Sequence, residues 1–285
     1  MKQIIFSTVA LLACGISAPA AEVWAPGVSR EGGWYDYHKT GSNDGIMADT
    51  AMCWAASSSN IISWWQNLNP SPLTSTVPQN EEIFDTFRGI YTNGGGKASY
   101  AYEWWVNGNW DAPEGSGWAS IDKGMPEKYI EQANGGFLSA VYDTGAYPIT
   151  IATSSNNPYS YSESVVNALS NGYALTLSVE NSGVAHAYTL WGAEYEITTN
   201  GYELTAVWLT NSDDINNEPQ LFCKDVICTY SEKNGGTGSV AFDENMGATF
   251  AEVSGLRSAP RSVPEPVSAT LSLLALAGLA CRRRR

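Results

Sequence analysis

The chain has 285 residues, enough for one large domain or two small ones with a sizeable core. Its formal charge is -14 and its pI about 4.5, and four of its fifteen basic residues are the terminal Arg282, Arg283, Arg284 and Arg285. No basic surface remains to neutralise phosphates, which argues against nucleic-acid binding.

In chain order, residues 1–21 read as a secretory signal. Lys2 is the basic start, residues 4–13 are the apolar run, and Ala18, Ala20 and Ala21 offer small residues for cleavage. Leu11-Leu12-Ala13-Cys14 also resembles a lipoprotein cleavage box, although a later site is available. An exported chain is permitted disulfides. Residues 22–257 read as one domain. Residues 22–32 form a Pro/Gly-containing lead, and 34–39 a short strand. A polar loop over 41–49 follows, with Asp49 or Thr50 as the N-cap of a helix over 52–66. That helix has no Gly or Pro, and Met52, Ala56, Ile61, Trp64 and Trp65 suit burial on most sides.

A second helix is predicted over 81–91. Residues 94–117, rich in Gly and Trp, read as a long surface excursion. A short helix fits 124–132, and a longer one 161–171. Strands follow at 173–179, 185–197, 202–210, 221–230, 238–242 and 248–253. The 185–197 and 202–210 pair is joined around Asn200-Gly201, a strong hairpin signal. Helices first and antiparallel strands second argue α+β. The eleven Trp and fifteen Tyr suit either core packing or a groove for extended peptide or sugar.

Residues 258–285 read as a linker and tail. Val263-Pro264-Glu265-Pro266 precedes an apolar run over 267–281 and then the four arginines. The run, about 15 residues, is short for a free-standing transmembrane helix. The pattern resembles the PEP-CTERM tail of Gram-negative bacteria. That resemblance implies recognition of Pro-Glu-Pro by a membrane-bound, exosortase-type sorting enzyme and removal of the tail. Membrane association would be transient, and the destination the cell envelope or the exterior. Without Lys2, the four arginines and Glu265, ten basic and 28 acidic residues remain, a net charge of -18.

Cys14 and Cys281 lie in the removable ends. Cys223 and Cys228 flank four residues and could bridge locally, which leaves Cys53 as an unpaired thiol, either reactive or buried and inert. Cys53 stands at the start of the 52–66 helix. His186 lies on a strand, and Asn211-Ser212-Asp213 ends the next. Cys, then His, then Asn or Asp is the chain order of papain-like cysteine peptidases. A helix N-terminus stabilises a thiolate, and the N–H of Cys53 could serve an oxyanion. With Asn200-Gly201 central to the turn, Asn211 faces Leu190, four residues from His186. That offset is about 13 Å, so a bulge is required, and Gly192 is a suitable place for it.

Four blocks carry a more specific resemblance: Gly33 to Lys39; Cys53-Trp54-Ala55-Ala56 through Asn60 to Trp64-Trp65; His186 through Leu190-Trp191-Gly192-Ala193; and Thr210-Asn211-Ser212-Asp213. They resemble the Mac-type bacterial immunoglobulin-degrading cysteine peptidases. The resemblance implies a papain-like α+β fold, with an N-terminal helical part carrying the Cys and a C-terminal antiparallel sheet carrying His and Asn or Asp. It implies Cys53 as nucleophile and His186 as general base. Asn211 takes the place of the family's acidic triad member, where the family has Asp. Asp213 matches a second nearby acid, and Lys39 the lysine that helps bind the oxyanion. Met47 stands where papain-type enzymes carry a Gln for that purpose. His38 reads as structural, held beside Lys39.

The expected function is an exported cysteine endopeptidase working through an acyl-enzyme. No cofactor is implied, and two histidines with dispersed acids give no metal-ligand spacing. The expected partner is a protein or peptide substrate, with immunoglobulin or another glycoprotein among the candidates. The middle of the chain, about 70–170, matches poorly and does not carry the substrate over. The alternatives are an acyltransferase or amidase on the same machinery, or an inactive binding module that uses the 94–117 excursion as its platform.

Overall fold

The computed structural model describes residues 20–45, 47–108, 118–154, 156–213, 218–231, 237–243 and 248–258. The expected leader and tail lie outside these, apart from Ala20, Ala21 and Ser258. Among the described residues no helix is long and apolar enough to cross a membrane.

The strands are β1 (Ala21–Trp24), β2 (Thr150–Ala152), β3 (Tyr173–Asn181), β4 (Val184–Thr198), β5 (Gly201–Thr210), β6 (Phe222–Ser231), β7 (Thr237–Phe242) and β8 (Thr249–Arg257). The sheet runs β1-β4-β3-β8-β7-β6-β5, and β5 pairs back onto β4. Six antiparallel strands, β3 to β8, therefore close on themselves as a barrel. β1 extends β4, and β2 pairs with β8. This overturns the expected papain-like α+β arrangement of a helical part followed by a sheet. The local signals were those of strands and a hairpin, but closure needs β6, β7, β8 and β3 to pair in sequence, and no period in the chain encodes that non-local pairing. Closure also needs β4. At 15 residues it is long enough to hold β3, β5 and β1 together.

The helices are α1 (Cys53–Leu68), α2 (Glu81–Ile90), α3 (Ala98–Asn107), α4 (Glu127–Ile130) and α5 (Pro158–Ser170). α1 packs on β3, β4 and β8, and α2 and α3 pack on α1. α1 is buried from Trp54 through Gln66 despite its serines and Asn60. Ser58 and Ser59 hydroxyls donate to the Trp54 and Ala55 carbonyls one turn back. Ser57 donates to Thr176 and Asn60 to Thr189, at 3.1 and 2.8 Å. Each such bond is worth about 1 kcal/mol net and costs more if left unmade, so these pairs fix how α1 sits on the barrel. α5 starts at Pro158 with Asn157 Oδ1 accepting the Tyr159 and Ser160 N–H groups, the expected chemistry of an N-cap.

Residues 94–117 do not form a surface excursion, as far as they are described. α3 occupies their centre, and Trp104 and Trp105 are 1% and 0% exposed. They pack with Phe87, at 5.4 Å for each ring pair, and Tyr91 stands edge-on to Trp104 at 5.2 Å. Most of the tryptophan load is core: Trp54, Trp64, Trp65 and Trp191 are buried as well. Residues 109–117, which complete the predicted excursion, lie outside the described residues. Residues 34–39 are not a strand but an irregular strap, and β1 and β2 are strands that periodicity did not reveal.

Cys223 and Cys228 are both free. They stand five residues apart on β6, on opposite faces and about 16 Å apart along the strand. A disulfide needs Cβ atoms about 4 Å apart, so no local bridge forms.

Candidate active site

Cys53 is the first residue of α1 and is partly buried. Neither Asp49 nor Thr50 caps the helix; Met52 occupies that position without a side-chain bond. The Asp49 carboxylate instead accepts the Thr40 N–H and hydroxyl and pairs with Arg88 of α2 at 3.2 Å. The loop before Cys53 is held further by Asn93, which accepts the Ala51 N–H and donates to the Thr50 hydroxyl. The first intrahelical N–H bonds run from Ala55 and Ala56 to Met52 O. The N–H of Cys53 thus precedes the helical ladder, where donors lack an intrahelical acceptor.

β4 and β5 bring the second half of the site. Their turn is centred on Thr199-Asn200, one residue earlier than expected, because Thr198 pairs with Gly201. The register shifts between Glu194 and Tyr195 and again between Leu190 and Gly192. Beyond the second shift Thr189 pairs with Thr210, so Asn211 stands across from Tyr188. That is two residues from His186, about 7 Å along the strand rather than 13 Å. Without the shift Asn211 would face Thr189, whose side chain points at Asn60 of α1. One extra residue, Trp191, therefore decides which face Asn211 shares. Gly192 permits it, since a Cβ there would lie 2.6 Å from the Trp24 ring of β1.

The five residues singled out in the sequence come together. His186 Nε2 meets Asn211 Oδ1 at 2.8 Å. The same oxygen accepts the Asp213 N–H at 3.2 Å, which identifies it as the amide oxygen rather than the NH2 group. Nε2 must then carry the proton, leaving the Nδ1 lone pair for the thiol. Asp213 Oδ2 lies 3.6 Å from Nδ1, and its Oδ1 pairs with Lys39 Nζ at 2.7 Å. Lys39 also donates to the Thr50 carbonyl at 2.6 Å, and its backbone N–H to Ser212 O. Two of three ammonium donors are thereby engaged.

Burial pushes the Cys53 thiol up, but the hydrogen bond to His186, the imidazole charge, Lys39 and the Ala187 N–H together bring it below its ordinary value. Burial pushes His186 down, but Cys53, Asn211 and Asp213 raise it above its ordinary value. The thiol is drawn down and the imidazole up, the directions that favour a thiolate–imidazolium pair.

Sequence reasoning missed Asn93, Arg88 and Ala187, and gave Thr50 only as a helix cap. They act through loop geometry or backbone atoms, and the Asn93-Gly94 turn signal was the one legible hint. No group of three or more His, Cys, Asp or Glu that could hold a metal occurs among the described residues.

The chain is similar to the IgM protease of Streptococcus suis (strain P1/7), 26% identical over 213 residues, which cover 64% of this chain and 18% of the relative. It spans less than a fifth of that relative's length. The sequence pattern of the family described as Mac 1 matches residues 19–86 and 72–246, most of the chain, and the chain belongs to the Mac 1 family.

Proposed function

We propose that the chain is an exported cysteine endopeptidase in which Cys53 attacks a peptide carbonyl and His186 carries the proton. The observation that carries this reading is the Nε2 contact to Asn211 at 2.8 Å, beside a thiol that His186 draws below its ordinary value. Family membership and the relative's printed name support a protein substrate.

The His186 Nδ1 lone pair takes the Cys53 proton, giving thiolate and imidazolium. The thiolate adds to the scissile carbonyl carbon, and the electron pair moves to its oxygen. That oxyanion receives the N–H of Cys53 and the remaining Lys39 donor. Collapse breaks the C–N bond, and imidazolium gives its proton to the leaving amine. His186 then takes a proton from water, the hydroxide equivalent attacks the thioester, and the acid leaves as Cys53 is restored. Asn211 pins the ring so that Nδ1 keeps facing the thiol. It is neutral where the family has Asp, and Asp213 supplies the negative charge nearby.

Export rests on residues 1–21. Sorting by a membrane enzyme rests on Pro264-Glu265-Pro266, the apolar run after it and the terminal arginines. Immunoglobulin enters as one protein substrate to try, from the relative's name. The test is the rate of Cys53 alkylation by iodoacetamide from pH 4 to 9, with His186→Ala alongside. Reactivity that persists well below the free-thiol value of about 8.5 and is lost in the variant supports the reading. A rate that rises only near that value, indifferent to His186, overturns it.

A further inference from the structure

We infer that Asp36 is a positioning residue for the site. It would cinch the strap of residues 35–39 that carries Lys39 and holds both neighbours of Asn211. The inference rests on the peptidase reading above.

The strap contacts the Cys53 helix and the chain on both sides of Asn211. The Tyr35 carbonyl accepts the Thr210 hydroxyl at 3.0 Å. The Tyr37 N–H donates to Asn60 of α1, the Cys53 helix, at 2.8 Å. The Lys39 N–H donates to Ser212 O at 2.9 Å. Thr210 and Ser212 flank Asn211, so the strap grips the chain on both sides of the residue that pins His186. The Lys39 side chain leaves the same strap towards Asp213 and Thr50.

Asp36 lies within this segment, between Tyr35 and Tyr37, with its side chain fully buried. A buried carboxylate is costly unless its partners are built in. Oδ2 accepts the Gln220 N–H at 2.9 Å and lies 3.4 Å from His38 Nε2. Gln220 belongs to the chain that returns to β6 after Asp213. Asp36 thus ties the strap to the far side of the connection whose near side Lys39 ties at Ser212. These contacts of Asp36 and His38 include neither the thiol nor the imidazole. Their effect would pass through Lys39 and Asn211.

The experiment uses the full chain and iodoacetamide as probe. Asp36→Ala removes the acceptor, whereas Asp36→Asn keeps an oxygen for the Gln220 N–H. The readout is the ratio of Cys53 alkylation rates at about pH 5.5 and about pH 9.5. An unfolded chain carries Cys53 as a free thiol of pKa about 8.5 and would lower the ratio as well, so the ratio is read only on variants shown by thermal melting to be folded at the assay temperature; there, a lowered ratio reports a displaced His186–Asn211 pair. We expect the ratio to fall about tenfold in Asp36→Ala, the effect of roughly one pK unit, and to recover largely in Asp36→Asn. Should the alanine variant not fold, a ratio in Asp36→Asn within about twofold of the parent's, with the same thermal midpoint, supports the acceptor role; an Asn ratio as low as that of Asn211→Ala overturns it. A parent with low-pH reactivity and an alanine variant of unchanged ratio overturns the inference alone. A parent without low-pH reactivity overturns the peptidase reading and this inference with it.

Discussion

Lys39 and Asp213 form an ion pair of 2.7 Å, and the second oxygen of Asp213 faces His186 Nδ1 at 3.6 Å. One carboxylate therefore touches both the proposed oxyanion donor and the proposed base. Its negative charge raises His186, and the Lys39 charge lowers Cys53. Removing Asp213 as Asp213→Asn makes thiolate easier and imidazolium harder to form. Both limbs of the Cys53 alkylation profile should move to lower pH. The Asp213 side chain is nearly half exposed, so solvent screening keeps the displacement modest. Lys39→Met should move the acid limb the opposite way, because the thiolate loses a neighbouring cation.

Lys39→Met also separates two roles. Alkylation develops no oxyanion, whereas peptide hydrolysis does. If Lys39 donates to that oxygen, turnover should fall by about 10²–10³-fold, the usual cost of one such donor, while the alkylation rate at its optimum changes little. An equal loss in both would reduce Lys39 to a partner of Asp213.

Asn211 offers a charge test at fixed geometry. Asn211→Ala leaves the Nε2 proton without its acceptor and lets the ring turn. Turnover should drop on the order of 10²-fold, within the range of a misplaced general base. Asn211→Asp keeps an acceptor at 2.8 Å and adds a negative charge, so His186 should rise further. The alkaline limb of the turnover profile should move to higher pH, and a limb that stays put would show that Asn211 is not the group His186 feels.

The site was legible in the sequence to a degree the fold was not. Cys53, His186 and the Asn211 and Asp213 pair could be named from residue type and chain order, and Lys39 only from the family resemblance; the structure brings all five together. The hairpin gave the right neighbours but the wrong offset, since the turn slid to Thr199-Asn200. Asn200-Gly201 is a good turn pair, but Gly201 was needed for the first rung opposite Thr198. The barrel was not legible, because the pairing of β3 with β8 joins residues about 70 positions apart and leaves no local mark. The Trp-rich segment was misread because the pattern of Trp104 and Trp105 does not say which neighbours will cover them.

That last correction carries its own prediction. A platform tryptophan can be truncated without unfolding the protein. Trp105 is fully buried and stands 4.6 Å from Phe137 and 5.4 Å from Phe87. Trp105→Ala should therefore cost about 3–5 kcal/mol, seen as a lower midpoint in urea with an unchanged slope. A neutral effect would restore the surface reading of α3.

Gly192 links stability to the site. A Cβ at this position meets Trp24 Cε3 at 2.6 Å and Cδ2 at 2.7 Å, both in a ring that also packs on Trp208 at 5.4 Å. Either Trp24 gives way, which disturbs β1, or β4 gives way, which disturbs the extra residue at Trp191 and with it the face Asn211 shares. Gly192→Ala should cost about 1–3 kcal/mol as an overpacked contact, lowering Tm by about 2–4 °C for each kcal/mol. Cys53 alkylation at low pH in Gly192→Ala tells the two apart, and the double variant with Trp24→Ala is the control. If Trp24 is what gives way, adding Gly192→Ala to Trp24→Ala should cost almost nothing further and leave Cys53 alkylation at low pH intact. If β4 moves instead, the low-pH reactivity falls in Gly192→Ala and returns in the double variant, because the space vacated by the indole lets the strand regain the register that holds Asn211 to His186.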